Sequence, residues 1–89
     1  MSGSNPFKSI EFYKISKNST GVTINGSGII NVLYRESSSF NNFKTYIVLD
    51  NEYTLDNASQ SQMFFFDKSI KVYTATDGII HFSIALFND

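Results

Sequence analysis

Residues 79–87, Ile-Ile-His-Phe-Ser-Ile-Ala-Leu-Phe, decide the fold class of this 89-residue chain. Large apolar side chains occupy every second position, with smaller or polar ones between them: Ile80, Phe82, Ile84 and Leu86 against His81, Ser83 and Ala85. Successive side chains of a β-strand point to opposite faces, so this period of two places the large groups on one side. The stretch therefore predicts an amphipathic β-strand.

A second alternating run lies just upstream, at residues 70–73, where Ile and Val alternate with Lys and Tyr. Asp77-Gly78 separates the two runs. Asp-Gly between alternating runs favours a β-hairpin, because glycine adopts the positive φ that the turn demands. Asn25-Gly26 gives a second hairpin signal of the same kind.

The rest of the chain repeats this organisation. Short strand-like runs are separated by clusters of Ser, Asn, Gly and Asp, and good helix formers are rare. We therefore predict an all-β fold, a compact antiparallel β-sandwich (jelly-roll-like) of about seven or eight short strands. A small five-stranded barrel is the alternative. Residues 7–89 are predicted to form the single domain, and residues 1–6 a flexible N-terminal arm.

Composition excludes several classes of partner. The net charge is −1, from seven basic and eight acidic residues, whereas a nucleic-acid or anionic-membrane binder would carry a basic excess. No stretch approaches the roughly 18 apolar residues of a membrane span. The N-terminal arm lacks the apolar core of a secretory signal, so export by that route is not expected.

Catalytic residues are not evident. His81 is the single histidine and lies in mid-strand, where Ser83 two residues away offers no strained turn to present its hydroxyl group. The chain contains no nucleophile elbow, phosphate-binding loop or zinc-protease motif. We therefore expect a protein that is not an enzyme, with no cofactor and no metal.

One group of oxygen-bearing side chains needs a separate interpretation. Asp50, Glu52 and Asp56 lie close together with two asparagines, and calcium takes six to eight oxygen ligands. However, the spacing does not match the EF-hand loop, and Asp and Asn are ordinary turn residues. Turn formation is the favoured interpretation, and a cation site is the alternative.

The most apolar segment is Met63-Phe64-Phe65-Phe66. Three consecutive phenylalanines of a strand cannot all face one core, because the middle side chain must point away from its neighbours. A chain of 89 residues also has little core in which to bury nine phenylalanines and five tyrosines. We therefore predict self-association through an aromatic-rich surface. The candidate contact residues are Phe64, Phe65, Phe66, Tyr73, His81, Ile29 and Leu33.

The C-terminal third resembles the ending of small bacteriophage virion β-sandwich proteins. The likeness covers roughly residues 60–89. It rests on residues 63–73 and 79–87, whose order is an apolar strand, a charged-small turn, a strand, a glycine-containing turn and a last isoleucine-rich strand. Proteins of this kind decorate heads or form fibre and spike modules. The resemblance implies a structural role in a virion, a homotrimer, and contacts with other virion proteins. Without it, the expected location is cytoplasmic.

A binding module is the alternative from another functional class. In that hypothesis the loops at residues 37–42 and 56–61 recognise a carbohydrate or a protein partner, and the apolar strands are only scaffold. An inhibitor that occupies another protein's groove is a third hypothesis, which the small size permits.

Overall fold

The computed structural model describes residues 6–16, 20–36, 45–56, 62–74 and 78–88. Eight β-strands account for most of them. The strands are β1 (Phe7–Ser16), β2 (Val22–Asn25), β3 (Gly28–Glu36), β4 (Thr45–Leu49), β5 (Tyr53–Asp56), β6 (Met63–Phe66), β7 (Ser69–Thr74) and β8 (Ile79–Phe87). No described residue belongs to a helix long and apolar enough to cross a membrane.

The strands form two four-stranded antiparallel sheets. The first sheet has the order β1-β8-β3-β6 and the second β2-β7-β4-β5. Strands pair as β1 with β8, β2 with β7, β3 with β6, and β4 with β5. This is the pairing of one long antiparallel ribbon in which the chain folds back on itself between β4 and β5. Winding that ribbon over two sheets produces a jelly roll. The predicted β-sandwich is confirmed, and the five-stranded barrel is wrong.

The ribbon keeps one register as it passes from one sheet to the other. In the second sheet Val22 pairs with Val72 and Asn25 with Ser69. The same register continues in the first sheet, where Gly28 pairs with Phe66 and Asn31 with Met63. At the corner the Gly26 N–H donates to the Lys68 carbonyl at 2.8 Å. The two sheets are therefore joined without a slip that would exchange core-facing and solvent-facing side chains.

Both predicted glycine hairpins are wrong. Asp77-Gly78 lies between β7 and β8, and Asn25-Gly26 lies at the end of β2, before β3. In both cases the two strands belong to different sheets, so they do not pair with each other. Gly26 and Gly78 do have positive φ values, of 139° and 143°. A sharp corner between sheets needs this backbone conformation as much as a hairpin does, so the local signal does not distinguish the two.

The turn predicted at Asp50-Asn51 does join neighbouring strands, β4 and β5. Both residues have positive φ, 59° and 56°, as the central residues of type I′ turns do. The Glu52 N–H donates to the Leu49 carbonyl at 3.0 Å and closes the turn.

The core lies between the sheets and is built from alternate residues of the inner strands. Its fully buried hydrophobic members are Ile30, Val32, Ile47, Ile70, Val72, Ile80 and Phe82. The Phe82 ring stacks on Tyr13, with ring centroids 5.3 Å apart. Burial of Tyr13, with its hydrogen bond to Glu11, raises the pKa of the Tyr13 phenol. The alternation in residues 79–87 thus reports the core-facing side of β8, as predicted.

Candidate interaction surface

The outer face of the first sheet carries two rows of apolar and uncharged side chains. Strand pairing aligns Ile10, Ala85, Ile29 and Phe65 across all four strands as one row. The next row along the strands contains Phe12, Ser83, Asn31 and Met63. We call these eight residues the apolar face. None of the eight carries a charge, so the middle of this surface is free of charged side chains.

The apolar face exposes unusually large side chains. Phe12 is 73% exposed, Phe65 69%, Met63 59% and Ile10 54%, and Tyr34 beside them is 41% exposed. These are five of the six large hydrophobic side chains exposed among the described residues, the sixth being Tyr53 in the second sheet. At about 200 Å² for a fully exposed side chain of this size, the five expose about 600 Å². That equals the upper end of the range for the largest apolar patch of a typical monomer, about 300–600 Å².

Charged and titratable side chains collect at one end of the apolar face. The next row contains Lys14, His81 and Tyr34, in register across β1, β8 and β3. The His81 ring stacks on Tyr34 with centroids 4.0 Å apart, and its Nε2 atom lies 3.4 Å from Glu36 Oε2. That approach lacks hydrogen-bond geometry, so Nε2 is buried without a hydrogen-bond partner. His81 is therefore held by ring stacking and by proximity to a carboxylate.

The outer face of the second sheet differs in character. Its register brings together Thr23, Lys71, Val48 and Thr54. Beside them the Tyr46 and Tyr73 rings stack at 5.0 Å, and Lys71 Nζ lies 5.4 Å from the Tyr73 ring centroid. These aromatic rings contact one another and a cation within the chain, so the described residues of this face offer no comparable uncovered apolar area.

The structure divides the predicted contact residues between several environments. Phe65, Ile29 and His81 lie on the outer side of the first sheet. Phe66 is a core residue and Phe64 packs against the core, because alternation turns both inward when Phe65 points out. The prediction that Phe64 and Phe66 are surface contact residues is therefore corrected, since both side chains turn towards the core. Tyr73 lies in the second sheet, away from Phe65.

Leu33 lies at an irregularity of β3. The register with β8 shifts between Val32 and Tyr34, so Leu33 has no direct partner, and its side chain is half-buried. Sequence reasoning missed four exposed residues of this side of the sheet: Ile10, Phe12, Met63 and Tyr34. The signal for Ile10 and Phe12 was present, since they share one parity of β1, but both parities of that strand contain aromatic residues.

The first sheet has two edge strands, β1 and the four-residue β6, and the β1 edge is protected against strand addition. Strand β1 carries Lys8, Glu11 and Lys14 together with a register shift between Phe7 and Ser9. Glu11 shares the core-facing parity yet remains exposed. Charged side chains and bulges on an edge strand oppose pairing with another chain. Contact through the sheet face is therefore favoured over contact through the β1 edge.

The acidic turn uses its first carboxylate to hold the fold together. Asp50 Oδ1 accepts backbone N–H groups of Asp67 at 2.8 Å, Lys68 at 2.6 Å and Ser69 at 3.3 Å. The N–H groups of Lys68 and Asp67 lower the pKa of Asp50, because they stabilise its ionised form. The described residues contain no group of three or more His, Cys, Asp or Glu side chains placed to share a metal ion. Asp50 thus supports the turn interpretation; the side chain of Asp56 lies outside the described part.

We expect Asp50→Asn to destabilise the protein at neutral pH and to remove part of its acid sensitivity. Asparagine also tolerates positive φ, so the turn is kept. The negative charge that accepts three backbone N–H groups is lost. Because the folded-state pKa is lowered, the carboxylate's contribution is present above the unfolded pKa of about 3.9 and is lost as pH falls through the folded value. Urea unfolding at neutral and acid pH should show the difference from wild type shrinking on acidification.

Glu52→Gln is the matched control for Asp50→Asn. Glu52 lies in the same turn and is exposed, so its neutralisation should change stability less. A difference between Asp50→Asn and wild type that stays constant from neutral to acid pH would contradict the assigned role of the Asp50 carboxylate.

The loop-binding hypothesis concerns residues that the structure leaves almost entirely undescribed. Residues 37–44 and 57–61 lie outside the described ranges, as do residues 1–5 of the N-terminal arm. No pocket is found among the residues that are described. Within that part of the chain, the apolar face is the surface that calls for an explanation.

Comparisons with protein families, with curated proteins and with solved structures found no match to this chain. The surface of the described residues is therefore the basis for a proposed function.

Proposed function

We propose that this chain is a non-enzymatic structural module that associates with copies of itself through the apolar face. The single observation that carries the proposal is the concentration of exposed Phe12, Phe65, Met63 and Ile10 on one uncharged sheet face. Interfaces that hold permanent assemblies resemble a domain core cut in half, with aromatic residues and methionine enriched and charge depleted at the centre. The apolar face has this composition.

The small size of the chain supports the same proposal. A domain of this length hides only about 60–65% of its unfolded surface on folding, so covering a further apolar face adds a sizeable share of the total burial. At about 25 cal/mol per Å², the roughly 600 Å² exposed by five side chains corresponds to roughly 15 kcal/mol per copy before the entropic losses of association. Association therefore stabilises the folded state, and stability should rise with protein concentration.

We further propose that the assembly is a virion component such as a head decoration, fibre or tail part. Two observations support this: the C-terminal third resembles small phage virion β-sandwich proteins, and the jelly roll is an architecture that viral capsid proteins share with lectins and cupins. The fold alone does not choose among those functions, so the resemblance carries this part of the proposal.

Light scattering behind a sizing column tests self-association. We expect the wild-type chain to elute above the 10.0 kDa of one copy at micromolar concentration. Phe12→Thr and Phe65→Thr should each weaken association by about 2 kcal/mol or more, roughly thirtyfold, because each removes an aromatic anchor while keeping a residue that suits a strand.

Tyr53→Thr is the matched control for the two phenylalanine variants. Tyr53 is 60% exposed, similar to Phe65, but it belongs to the second sheet. Replacing Tyr53 should leave the mass of the assembly, as measured by light scattering, at its wild-type value. A wild-type chain that remains monomeric at every concentration examined would defeat the proposed function.

A further inference from the structure

We infer that the occupant of the apolar face is a second copy of this chain, related by a two-fold axis that runs along the strands between β8 and β3. The inference rests on the proposed function and adds the partner's orientation and the copy number. In this arrangement the face of one copy packs on the same face of the other, as an isologous contact. Strand β8 of one copy lies over the partner's β3, and β1 lies over the partner's β6.

The exposed area fits a partner of this kind. The five large side chains beside and within the apolar face expose about 600 Å² of the roughly 800 Å² that each partner buries in a stable interface of standard size. The other side chains of the same two rows, Ala85, Ser83, Asn31 and Ile29, are partly exposed and add to that area. Since one face supplies most of what a stable contact needs, no second apolar surface is required.

Side-chain size selects the orientation of the axis. The outer side of β8 carries Ala85 and Ser83, whereas β3 carries the larger Ile29 and Asn31 in the same rows. An axis along the strands places the small β8 residues over the larger β3 residues of the partner. An axis across the strands would instead place β8 over β8 and leave the centre underpacked, and voids in a packed layer are destabilising.

Charge supports the same axis. Lys14 on β1 and Glu36 on β3 lie at the same end of the sheet, on opposite sides of the line between β8 and β3. Rotation about that line keeps both at this end and brings each Lys14 within one strand and one row of the partner's Glu36. Two opposite-charge contacts then flank the apolar centre, which is where polar interface rims lie.

The contact between identical faces also bears on copy number. A threefold assembly joins two different surfaces of each copy, whereas a face that meets its own kind generates a two-fold pair. Among the described residues only the outer face of the first sheet combines large exposed side chains with an uncharged centre. The inferred assembly is thus a dimer, in contrast to the trimer that the resemblance implied.

Mixing two charge-reversal variants tests the axis directly. Lys14→Glu alone places two carboxylates together across the contact, and Glu36→Lys alone places two ammonium groups together. Each variant should therefore associate on the order of tenfold more weakly than wild type. In a mixture, one Lys14→Glu chain and one Glu36→Lys chain restore an opposite-charge arrangement. Native mass spectrometry should then show a heterodimer that forms in preference to either homodimer.

Lys71→Glu is the control, because Lys71 is exposed on the second sheet and its reversal should leave dimerisation unchanged. A mixture no more associated than its separate components overturns the inferred axis, and a wild-type mass of three chains overturns the two-fold. Both results leave self-association standing. A monomeric wild type instead defeats the proposed function itself.

Discussion

Replacing Phe82 with alanine is expected to remove most of the stability of this protein at room temperature. Phe82 is fully buried in the centre of the first sheet and stacks on Tyr13. Removing a buried phenylalanine side chain costs about 3–5 kcal/mol, because apolar burial is lost and a cavity remains. The whole stability of a native domain is about 5–15 kcal/mol, and a chain of this size belongs near the lower end. Urea unfolding followed by far-ultraviolet circular dichroism measures the effect.

Phe12→Ala provides the matched comparison, because it makes the same chemical change at a side chain that is 73% exposed. In protein dilute enough to be dissociated, this variant should lie within about 0.5 kcal/mol of wild type. Equal losses for the two variants would mean that Phe82 is not the core residue described above.

Gly28→Ala is expected to be the second most damaging substitution, with a loss of about 3 kcal/mol. A Cβ atom at Gly28 would lie 2.1 Å from the Ala85 carbonyl oxygen and 3.1 Å from the Leu86 Cα atom. Both neighbours are backbone of β8, so a side-chain rotation cannot relieve the contact. The β3 and β8 strands would have to separate at the point where the ribbon enters the first sheet. The midpoint of thermal unfolding should fall by more than about 10 °C, given about 4–8 °C per kcal/mol for a domain of this size.

Ser27→Ala is the control for Gly28→Ala, since it changes the neighbouring residue without adding an atom that meets β8. It should behave nearly as wild type does. If Gly28→Ala unfolds at the same temperature as Ser27→Ala, the close approach of β3 to β8 at this corner is not as described.

The physical origin of the correct sequence predictions is local. The alternation in residues 79–87 identifies the core-facing side of β8, and the apolar segment Met63–Phe66 forms strand β6. The turn at Asp50-Asn51 was also predictable, because short polar side chains tolerate the positive φ it requires. Each of these features depends on residues within a few positions of one another.

The incorrect and missing predictions share one cause, which is that strand pairing is not local. Gly26 and Gly78 adopt positive φ as hairpin glycines do, yet they precede strands that enter the other sheet. Phe65 points outward and Phe66 inward as alternation requires, but which of the two parities meets the core depends on the register of β6 with β3. The exposure of Phe12 likewise depends on β1 being placed beside β8.

The β class, the C-terminal strand and an excess of aromatic side chains over available core follow from side-chain period and chain length, so they could be predicted from the amino-acid order. The meeting of Ile10, Phe12, Met63 and Phe65 on one uncharged face, with Lys14 and Glu36 at its end, is visible only in the folded chain. These residues are up to 55 positions apart in the chain. Their meeting is set by hydrogen-bonded pairing between distant strands, and the energy of that pairing depends on the packing of both sheets together.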